Sequence, residues 1–289
     1  MRVAVLGVGK MGTAIAKELG KSGKSIILWN RSKEVCQTLA AEFSNVTVAN
    51  SPGEALAKAD IAITFFANGP ITESVLLDDP AVLAGSKSSL IIVDMGTSGV
   101  DTAQKLGNVI TQADRKFVDA PVSGSVATIA SHQLLVMASG DASDIKAIEE
   151  LMSVFAKKVI RVGDIGAGQV MKLVVNSIVH ALNVAVGEGL ALASKFDIEL
   201  SSVYDVLQES VVAAPYVLYK RSGFLDSKSP VTMRIDTAAK DMVLVLELAK
   251  TQGLQLEMAD TVAHIYSQAS EGGFGGNDMA SIARPLMDS

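Results

Sequence analysis

Residues 3–12 have the sequence Val3-Ala4-Val5-Leu6-Gly7-Val8-Gly9-Lys10-Met11-Gly12, followed by a helical pattern over 13–22. The apolar run is typical of a strand covered on both faces of a parallel sheet. In the spacing Gly-x-Gly-x-x-Gly, Gly7 allows a tight turn and Gly9 lets the backbone approach a pyrophosphate, while Gly12 lets the helix pack closely on the strand. The helix N-terminus offers free N–H groups to that anion. This stretch therefore predicts a dinucleotide-binding strand–loop–helix unit.

The second predicted strand covers residues 25–29, and the residues that follow it are expected to select the cofactor. NAD-specific sites usually place Asp or Glu here to accept hydrogen bonds from the ribose hydroxyls. This chain instead has Asn30, Arg31, Ser32 and Lys33. Asn30 has no charge to repel a 2′-phosphate, the guanidinium of Arg31 can stack or pair with that phosphate, and the last two add a donor and a positive charge. We predict NADP(H) in preference to NAD(H); alternatively, Arg31 and Lys33 are only the solvated start of a helix.

Strand and helix patterns alternate up to about residue 162, which predicts an α/β fold with a doubly wound parallel sheet of the Rossmann type. Helical segments such as 13–22, 33–42, 52–59 and 144–155 separate predicted strands at 3–7, 25–29, 46–49, 61–65, 90–94, 116–119, 134–139 and 158–162. Beyond Gly163 the pattern is helical, with a long apolar helix at 168–195 and shorter ones near 201–210, 214–222, 234–252 and 258–270. We predict a dinucleotide-binding domain at 1–163, joined by the long helix to an all-α substrate and oligomerisation domain at 164–289.

The composition excludes several classes of protein. The chain has 289 residues, of which 49% are hydrophobic and 19% charged, so it is globular and not disordered. A net charge of −6 without a basic run argues against nucleic acid as a partner. The single cysteine, Cys36, cannot form an intramolecular disulfide and is typical of a reducing compartment. Because Met1-Arg2 leads directly into a strand pattern, no signal peptide is expected, and we predict a cytoplasmic protein.

The most apolar stretch, 173–193, could belong to a membrane or to a buried helix. It contains Asn176, His180, Asn183 and Glu188, and amide and carboxylate side chains are costly at bilayer depth. The stretch therefore predicts a buried helix and no membrane span. Its hydrophobicity exceeds what one small helical domain can cover, so we expect a homodimer or homotetramer formed through the C-terminal domain.

Three later segments carry polar residues where catalysis is expected. Asp119-Ala120-Pro121-Val122-Ser123-Gly124 follows a predicted strand, at the edge where open α/β sheets bind their ligands. The stretch 166–176 opens the long helix, with Lys172 and Asn176 one turn apart on the same face. Lys240-Asp241 lies in a later helix. A lysine on such an apolar helix is costly to bury unless it has a partner or a function.

With these segments the chain resembles, nearly from end to end, the β-hydroxyacid dehydrogenase family, which is typified by 3-hydroxyisobutyrate dehydrogenase and includes glyoxylate and succinic semialdehyde reductases. The resemblance rests on five features taken together. They are the Met11 form of the glycine loop, the segment 119–124, the Lys-x-x-x-Asn helix, the Lys240-Asp241 pair and the sequence Gly275-Gly276-Asn277-Asp278.

The resemblance implies an NADP-dependent oxidoreductase that interconverts a small β-hydroxyacid and its semialdehyde, or reduces glyoxylate or succinic semialdehyde. Lys172 would be the general acid/base, and Asn176 would hold the substrate and help to orient that lysine. Ser123 and Gly124 would bind the carboxylate of the substrate. The implied cofactor contacts comprise Gly7, Gly9, Lys10, Met11, Gly12, the residues 30–33, Phe65, Phe66, Thr97 and Lys240. In the family, the strand ends at Phe65 and Phe66, then at Thr97, line the adenosine and nicotinamide ribose sites. No metal is expected.

The chain departs from the family pattern at two places. Ser125 replaces a second glycine after Gly124 and would narrow the carboxylate pocket or add a donor to it. Ser131-His132-Gln133-Leu134 replaces a Gly-Thr-Leu turn. These departures leave the substrate open. Two other functions stay open as well: imine reduction, whose enzymes generally lack the lysine, and dinucleotide binding without catalysis.

Overall fold

The structure is a computed structural model that describes residues 1–284. The described chain divides into two compact units, which separate between Lys172 and Leu173. Each unit has its own hydrophobic core. The two units are described in turn.

The first unit contains one sheet of nine strands in the order β3-β2-β1-β4-β5-β6-β8-β7, with β9 paired to β8. The pairs from β3 through β6 are all parallel. The strands are β1 (Arg2–Leu6), β2 (Ser25–Trp29), β3 (Val46–Val48), β4 (Ile61–Thr64), β5 (Ile91–Asp94), β6 (Lys116–Asp119), β7 (Val122–Ser123), β8 (Leu134–Ser139) and β9 (Ala156–Gly163).

Helices cover both faces of this sheet. On β1, Val3 and Val5 belong to one core cluster, whereas Ala4 and Leu6 belong to another. Alternate residues of a strand point to opposite faces, so a strand that is covered on both faces needs an unbroken apolar run. The prediction of a doubly wound sheet is confirmed. The helices are α1 (Lys10–Lys21), α2 (Lys33–Glu42), α3 (Pro52–Lys58), α4 (Gly69–Leu77), α5 (Ala81–Ala84), α6 (Val100–Gln112), α7 (Val126–Ala130) and α8 (Ala142–Met152).

The sheet is parallel only in its larger part, which refines the prediction. The strand β8 runs antiparallel to β6 and β7, and β9 is parallel to β8. The connection from β7 to β8 covers only residues 124–133 and contains the five-residue helix α7, whereas a parallel crossover usually needs a dozen or more residues. Because the chain turns back so early, β8 pairs in the opposite direction.

The second unit is helical. It consists of most of α9 (Ala167–Ser194), followed by α10 (Leu200–Glu209), α11 (Pro215–Leu225), α12 (Ile235–Thr251), α13 (Glu257–Ala269), a π-helical turn (Ser270–Phe274) and a 3₁₀ helix (Met279–Ala283). By length and composition α9 could cross a membrane, and 39% of its most apolar window is buried within the chain. The prediction of a buried helix is therefore met only in part within the single chain.

The packing boundary lies further along the chain than the predicted boundary at 163/164. Gly168 explains the difference, because a Cβ at this position would lie 2.7 Å from Oδ2 of Asp119 and 2.8 Å from the carbonyl oxygen of Met137. The first turn of α9 thus packs directly on the ends of β6 and β8 and belongs to the first unit.

Candidate active site

At two positions the phosphate loop has room only for glycine. Gly7 has φ +91°, and a Cβ there would lie 2.4 Å from the carbonyl oxygen of Phe65. A Cβ on Gly12 would lie 2.1 Å from the carbonyl oxygen of Gly7. Such distances are far below van der Waals contact, so side chains at both positions would displace the loop from β4 and α1.

Gly9 differs from the other two glycines. It is the N-cap of α1, and a Cβ there would have no protein atom within 4 Å. The open space faces a helix N-terminus, the usual site for a phosphate group. Lys10 is exposed at the first position of α1, and Met11 packs partly against the core. The loop therefore fits a dinucleotide, with Met11 also serving the packing of α1.

Asn30 connects the phosphate loop to the turn after β2. Its Oδ1 accepts a hydrogen bond from the N–H of Val8 at 3.1 Å, and its Nδ2 donates to the carbonyl oxygen of Ser32 at 3.1 Å. Arg31 and Ser32 are exposed beside this bridge. Lys33 begins α2 and donates to Oδ1 of Asn50 at 3.2 Å. Asn30 thus has a structural function in addition to its lack of charge.

Two phenylalanines follow β4. Phe65 packs against one core of the sheet and Phe66 against the other, and both remain partly exposed. The ring of Phe66 makes an edge-to-face contact with Trp29 at a centroid distance of 6.4 Å. The pair therefore extends from the strand end next to Gly7, where the resemblance places a cofactor contact.

Thr97 lies in a loop held by a buried carboxylate. Asp94, at the end of β5, is fully buried and accepts hydrogen bonds from the hydroxyls of Thr64 (2.8 Å) and Ser98 (2.7 Å). Burial raises the pKa of Asp94, and these two hydrogen bonds counteract part of the rise. Thr97 is half-buried, and its neighbour Ser98 is held in place by the hydrogen bond to Asp94.

A second buried carboxylate, Asp119, ends β6. It accepts a hydrogen bond from the hydroxyl of Ser139 at 2.8 Å and another from the side chain of Gln169 at 2.8 Å. Burial raises its pKa to about 6, although both hydrogen bonds lower it. The partly buried Lys172 lies one turn after Gln169 on α9, still within the first unit. Lys172, the predicted general acid/base, thus follows directly on the helix turn that packs on Asp119.

The predicted carboxylate-binding residues lie between β7 and α7. Ser123 is half-buried and pairs with Leu135 of β8. Gly124 is exposed with φ +143°, where a Cβ would lie 2.3 Å from Oγ1 of Thr128. Ser125 is the N-cap of α7, and its N–H donates to Oγ1 of Thr128 at 2.6 Å. Ser125 therefore begins a short helix beside the predicted pocket.

The substituted turn before β8 has an unusual backbone. His132 has φ +55°, a conformation that glycine adopts more easily than other residues. Its Nε2 lies 3.3 Å from Oε2 of the buried Glu18 on α1. His132 thus has a glycine-like backbone conformation at the place where the family usually has a glycine-containing turn, and its side chain contacts Glu18.

In the second unit, Asp241 organises the remaining predicted residues. It is buried, accepts a hydrogen bond from Nδ2 of Asn176 at 2.6 Å, and lies 3.0 Å from Nζ of Lys240. His180 is also buried, with Nε2 at 4.0 Å from the same carboxylate and its ring against Tyr266. With one N–H of Nδ2 donating to Asp241, the Oδ1 of Asn176 and its second N–H remain for a substrate.

Two family models match almost the whole chain. Residues 2–163 match the NAD-binding domain of 6-phosphogluconate dehydrogenase. Residues 166–286 match a model described as NAD-binding of NADP-dependent 3-hydroxyisobutyrate dehydrogenase. The chain belongs to the β-hydroxyacid dehydrogenase family.

Individual relatives agree with this family. Glyoxylate/succinic semialdehyde reductase 1 of Arabidopsis thaliana is 29% identical over 282 residues, which cover 98% of this chain and 97% of that protein. The solved 3-hydroxyisobutyrate dehydrogenase of Salmonella typhimurium has a TM-score of 0.90 and 25% identity over 99% of both chains. The cytokine-like nuclear factor N-PAC of Homo sapiens is 25% identical over 98% of this chain but only 51% of its own length. Members of the β-hydroxyacid dehydrogenase family are NAD(P)-dependent oxidoreductases.

Two residues that hold others in place had no role of their own in the predicted site, although both lie in its segments. Gln169 bonds to the end of β6, and Asp241 bonds to Asn176. Both are polar residues on helices beside a predicted site lysine, a signal that could have identified them. Within residues 1–284, no group of three or more His, Cys, Asp or Glu side chains is placed to hold a metal ion.

Proposed function

We propose that the protein is an NADP-dependent oxidoreductase that interconverts a small β-hydroxyacid and its semialdehyde, or reduces glyoxylate or succinic semialdehyde. The observation that carries this proposal is the first turn of α9, where Lys172 follows a buried network at the strand ends of a dinucleotide-binding sheet. Imine reduction is disfavoured because relatives with that activity generally lack the lysine.

The cofactor, when bound, supplies or accepts the hydride at its nicotinamide ring. In the reductive direction, the ammonium of Lys172 gives one proton to the carbonyl oxygen, so that the product is a neutral hydroxyl group. The positive charge of the same lysine stabilises the developing alkoxide. Ser123 and Gly124 bind the substrate carboxylate through a hydroxyl and a backbone N–H, and Asn176 holds the substrate beside the lysine. The reverse reaction returns the proton to Lys172.

A substrate panel tests this assignment. We expect NADPH-dependent reduction of at least one of glyoxylate, succinic semialdehyde and methylmalonate semialdehyde, measured by loss of absorbance of the reduced nicotinamide. The matching hydroxyacids with NADP⁺ define the reverse reaction. If none of these compounds is turned over with either cofactor, the proposed substrate class is wrong.

Arg31 provides the test of the cofactor preference. Arg31 is exposed and follows the end of β2 directly after Asn30, whose side chain carries no charge. A charge-assisted hydrogen bond contributes about 1.5–3 kcal/mol, or about 10- to 100-fold in affinity. We expect Arg31→Ala to raise the KM for NADPH by that factor and to leave the KM for NADH unchanged.

The matched control is Lys58→Ala, which removes an exposed cation that pairs with Glu54 at 2.7 Å. This variant is expected to keep the KM values of the parent for both cofactors. A preference for NADH that survives Arg31→Ala would contradict the NADP assignment.

The proposed partners are a small substrate that carries a carboxylate and a second copy of the chain, with neither nucleic acid nor membrane. Met171, Val174, Ile178 and Leu192 recur along α9 at helical spacing and are all exposed, Ile178 by 63%. An apolar stripe of this kind is typical of a subunit interface. The proposed location remains the cytoplasm, on the basis of the lone and buried Cys36.

Sedimentation velocity at micromolar concentration tests the oligomer. We expect a dimer or tetramer, and we expect Ile178→Glu to shift the protein towards monomer because a charge would be buried in an apolar interface. Val109→Glu, on the exposed side of α6 in the first unit, serves as the control and is expected to leave the oligomer intact. A monomeric parent protein would refute this part of the proposal.

A further inference from the structure

Gln169 is fully buried, and its side-chain amide is saturated with hydrogen bonds. Its Oε1 accepts from the N–H groups of Ser98 (3.0 Å) and Gly99 (3.1 Å). Its Nε2 donates to the carbonyl oxygen of Gly96 (3.1 Å) and to Oδ1 of Asp119 (2.8 Å). A glutamine amide has two N–H donors and an oxygen with two acceptor positions. All four are in use, so the amide can adopt only one orientation.

These bonds join three segments that each carry predicted site residues. The loop 96–99 contains Thr97, at the predicted nicotinamide ribose position. Asp119 begins the segment that continues to the predicted carboxylate ligand Ser123. Gln169 itself lies on the first turn of α9, one turn before Lys172. All of these residues belong to the first unit.

The rest of the network leaves little room for an alternative arrangement. Asp119 also accepts a hydrogen bond from the backbone N–H of Gln169 at 3.2 Å, and the hydroxyl of Ser139 accepts one from the N–H of Gly168 at 3.0 Å. Without the glutamine amide, two buried backbone N–H groups, one backbone carbonyl oxygen and one carboxylate oxygen would each lose a partner. Buried polar groups without partners are costly, so the segments would have to move apart or admit water.

We propose that Gln169 is a positioning residue for the reaction. Its amide sets the distance between the nicotinamide ribose loop, the carboxylate-binding segment and the helix turn that carries Lys172. This inference rests on the proposed function, because it assigns to Gln169 the alignment of the proton donor with the cofactor and the substrate.

Two single variants test the role. Gln169→Met has a similar length but removes the amide. Gln169→Glu retains the acceptor for Ser98 and Gly99 but places a second carboxylate oxygen against Asp119. Since a misplacement of about 1 Å can cost about 100-fold in rate, we expect both variants to lower kcat by about 100-fold. Because the loop around Thr97 also shifts, we expect the Kd for NADPH to rise by about 10-fold.

A charge swap makes the test specific. In Asp119→Asn the new amide N–H replaces one carboxylate oxygen and therefore faces an N–H of Gln169, either that of its side chain or that of its backbone. The side chain of Gln169 cannot rotate to compensate, because its oxygen binds Ser98 and Gly99. In the double variant Asp119→Asn/Gln169→Glu, the new amide N–H instead donates to the new carboxylate. Only the bond to Gly96 is lost. We therefore expect the double variant to recover at least about 10-fold of the kcat lost in Gln169→Glu.

Leu106→Ala is the control for a general loss of stability. Leu106 is a fully buried core residue of α6, and its truncation is expected to lower Tm while kcat and the Kd for NADPH stay within about 2-fold of the parent. Losses in the Gln169 variants no larger than this, or a double variant as impaired as Gln169→Glu, would overturn the proposal. If the single variants and the double variant all fail to fold, Gln169 serves stability alone and the proposal is rejected.

The outcome is separable from that of the proposed function. The Kd for NADPH is measured by fluorescence without any carbonyl substrate. If the parent protein binds NADPH but reduces no compound of the panel, the proposed function fails. The Kd values of Gln169→Met, Gln169→Glu and the charge swap then still decide whether Gln169 holds the nicotinamide ribose loop.

Discussion

Replacing Lys172 with alanine is expected to lower kcat for carbonyl reduction by about 10²- to 10⁴-fold, the usual contribution of a general acid/base. The alanine cannot donate a proton, and it also removes the positive charge that stabilises the alkoxide. The affinity for NADPH should change little, because the phosphate loop is built from other segments. Stopped-flow or steady-state loss of NADPH absorbance, combined with a fluorescence titration of NADPH, measures both quantities.

Two further variants delimit this result. Lys172→Arg retains the charge, but arginine does not lose its proton at neutral pH, so the loss of kcat should remain large. Lys250→Ala removes an exposed lysine in the last turn of α12 and should leave kcat unchanged. A Lys172→Ala protein that reduces its substrate at the parental rate would show that the proton comes from another group.

Gly9→Ala is expected to weaken NADPH binding by about 100-fold or more while the protein remains folded. A Cβ at Gly9 meets no protein atom within 4 Å, and the backbone there has φ −79°, which alanine adopts without strain. The methyl group would instead occupy the space that a pyrophosphate needs at the N-terminus of α1. Isothermal titration with NADPH gives the affinity, and a thermal melt without ligand gives the stability.

The matched control is Gly85→Ala. Gly85 also has an ordinary backbone conformation (φ −78°), and its Cβ would meet only a carbonyl oxygen at 3.9 Å. Both variants should have nearly parental Tm values, but only Gly9→Ala should lose affinity. Equal affinities in the two variants would mean that the dinucleotide does not approach the backbone at Gly9.

Several features of the fold could be predicted because they depend on neighbours in sequence. The apolar run of β1 requires cover on both faces of the sheet, and both faces are in fact covered. The antiparallel β8 was not predicted, because strand direction depends on the length of the connection and on which edge is available. The sequence of β8 contains neither of these facts.

The same distinction applies to the site. The glycine loop, the polar segment 119–124 and the Lys-x-x-x-Asn helix were visible as local patterns of residue type and spacing. Their partners were not visible: Asn30 holds Val8 across 22 residues, Gln169 holds Asp119 across 50, and Asp241 holds Asn176 across 65. A side-chain amide is compatible with many partners, and its sequence context does not rank them.

The sequence by itself determined that a dinucleotide-binding loop follows the first strand, because the glycine spacing between an apolar run and a helical pattern is local, and a Cβ on Gly12 would collide with the nearby Gly7. Only the tertiary structure decided how the loop and the strand ends are held in place. The physical reason is that a buried hydrogen bond forms between whichever groups the packed elements bring within about 3 Å. In this chain, packing of the first turn of α9 on β6 and β8 placed Gln169 between Asp119 and the loop of Thr97.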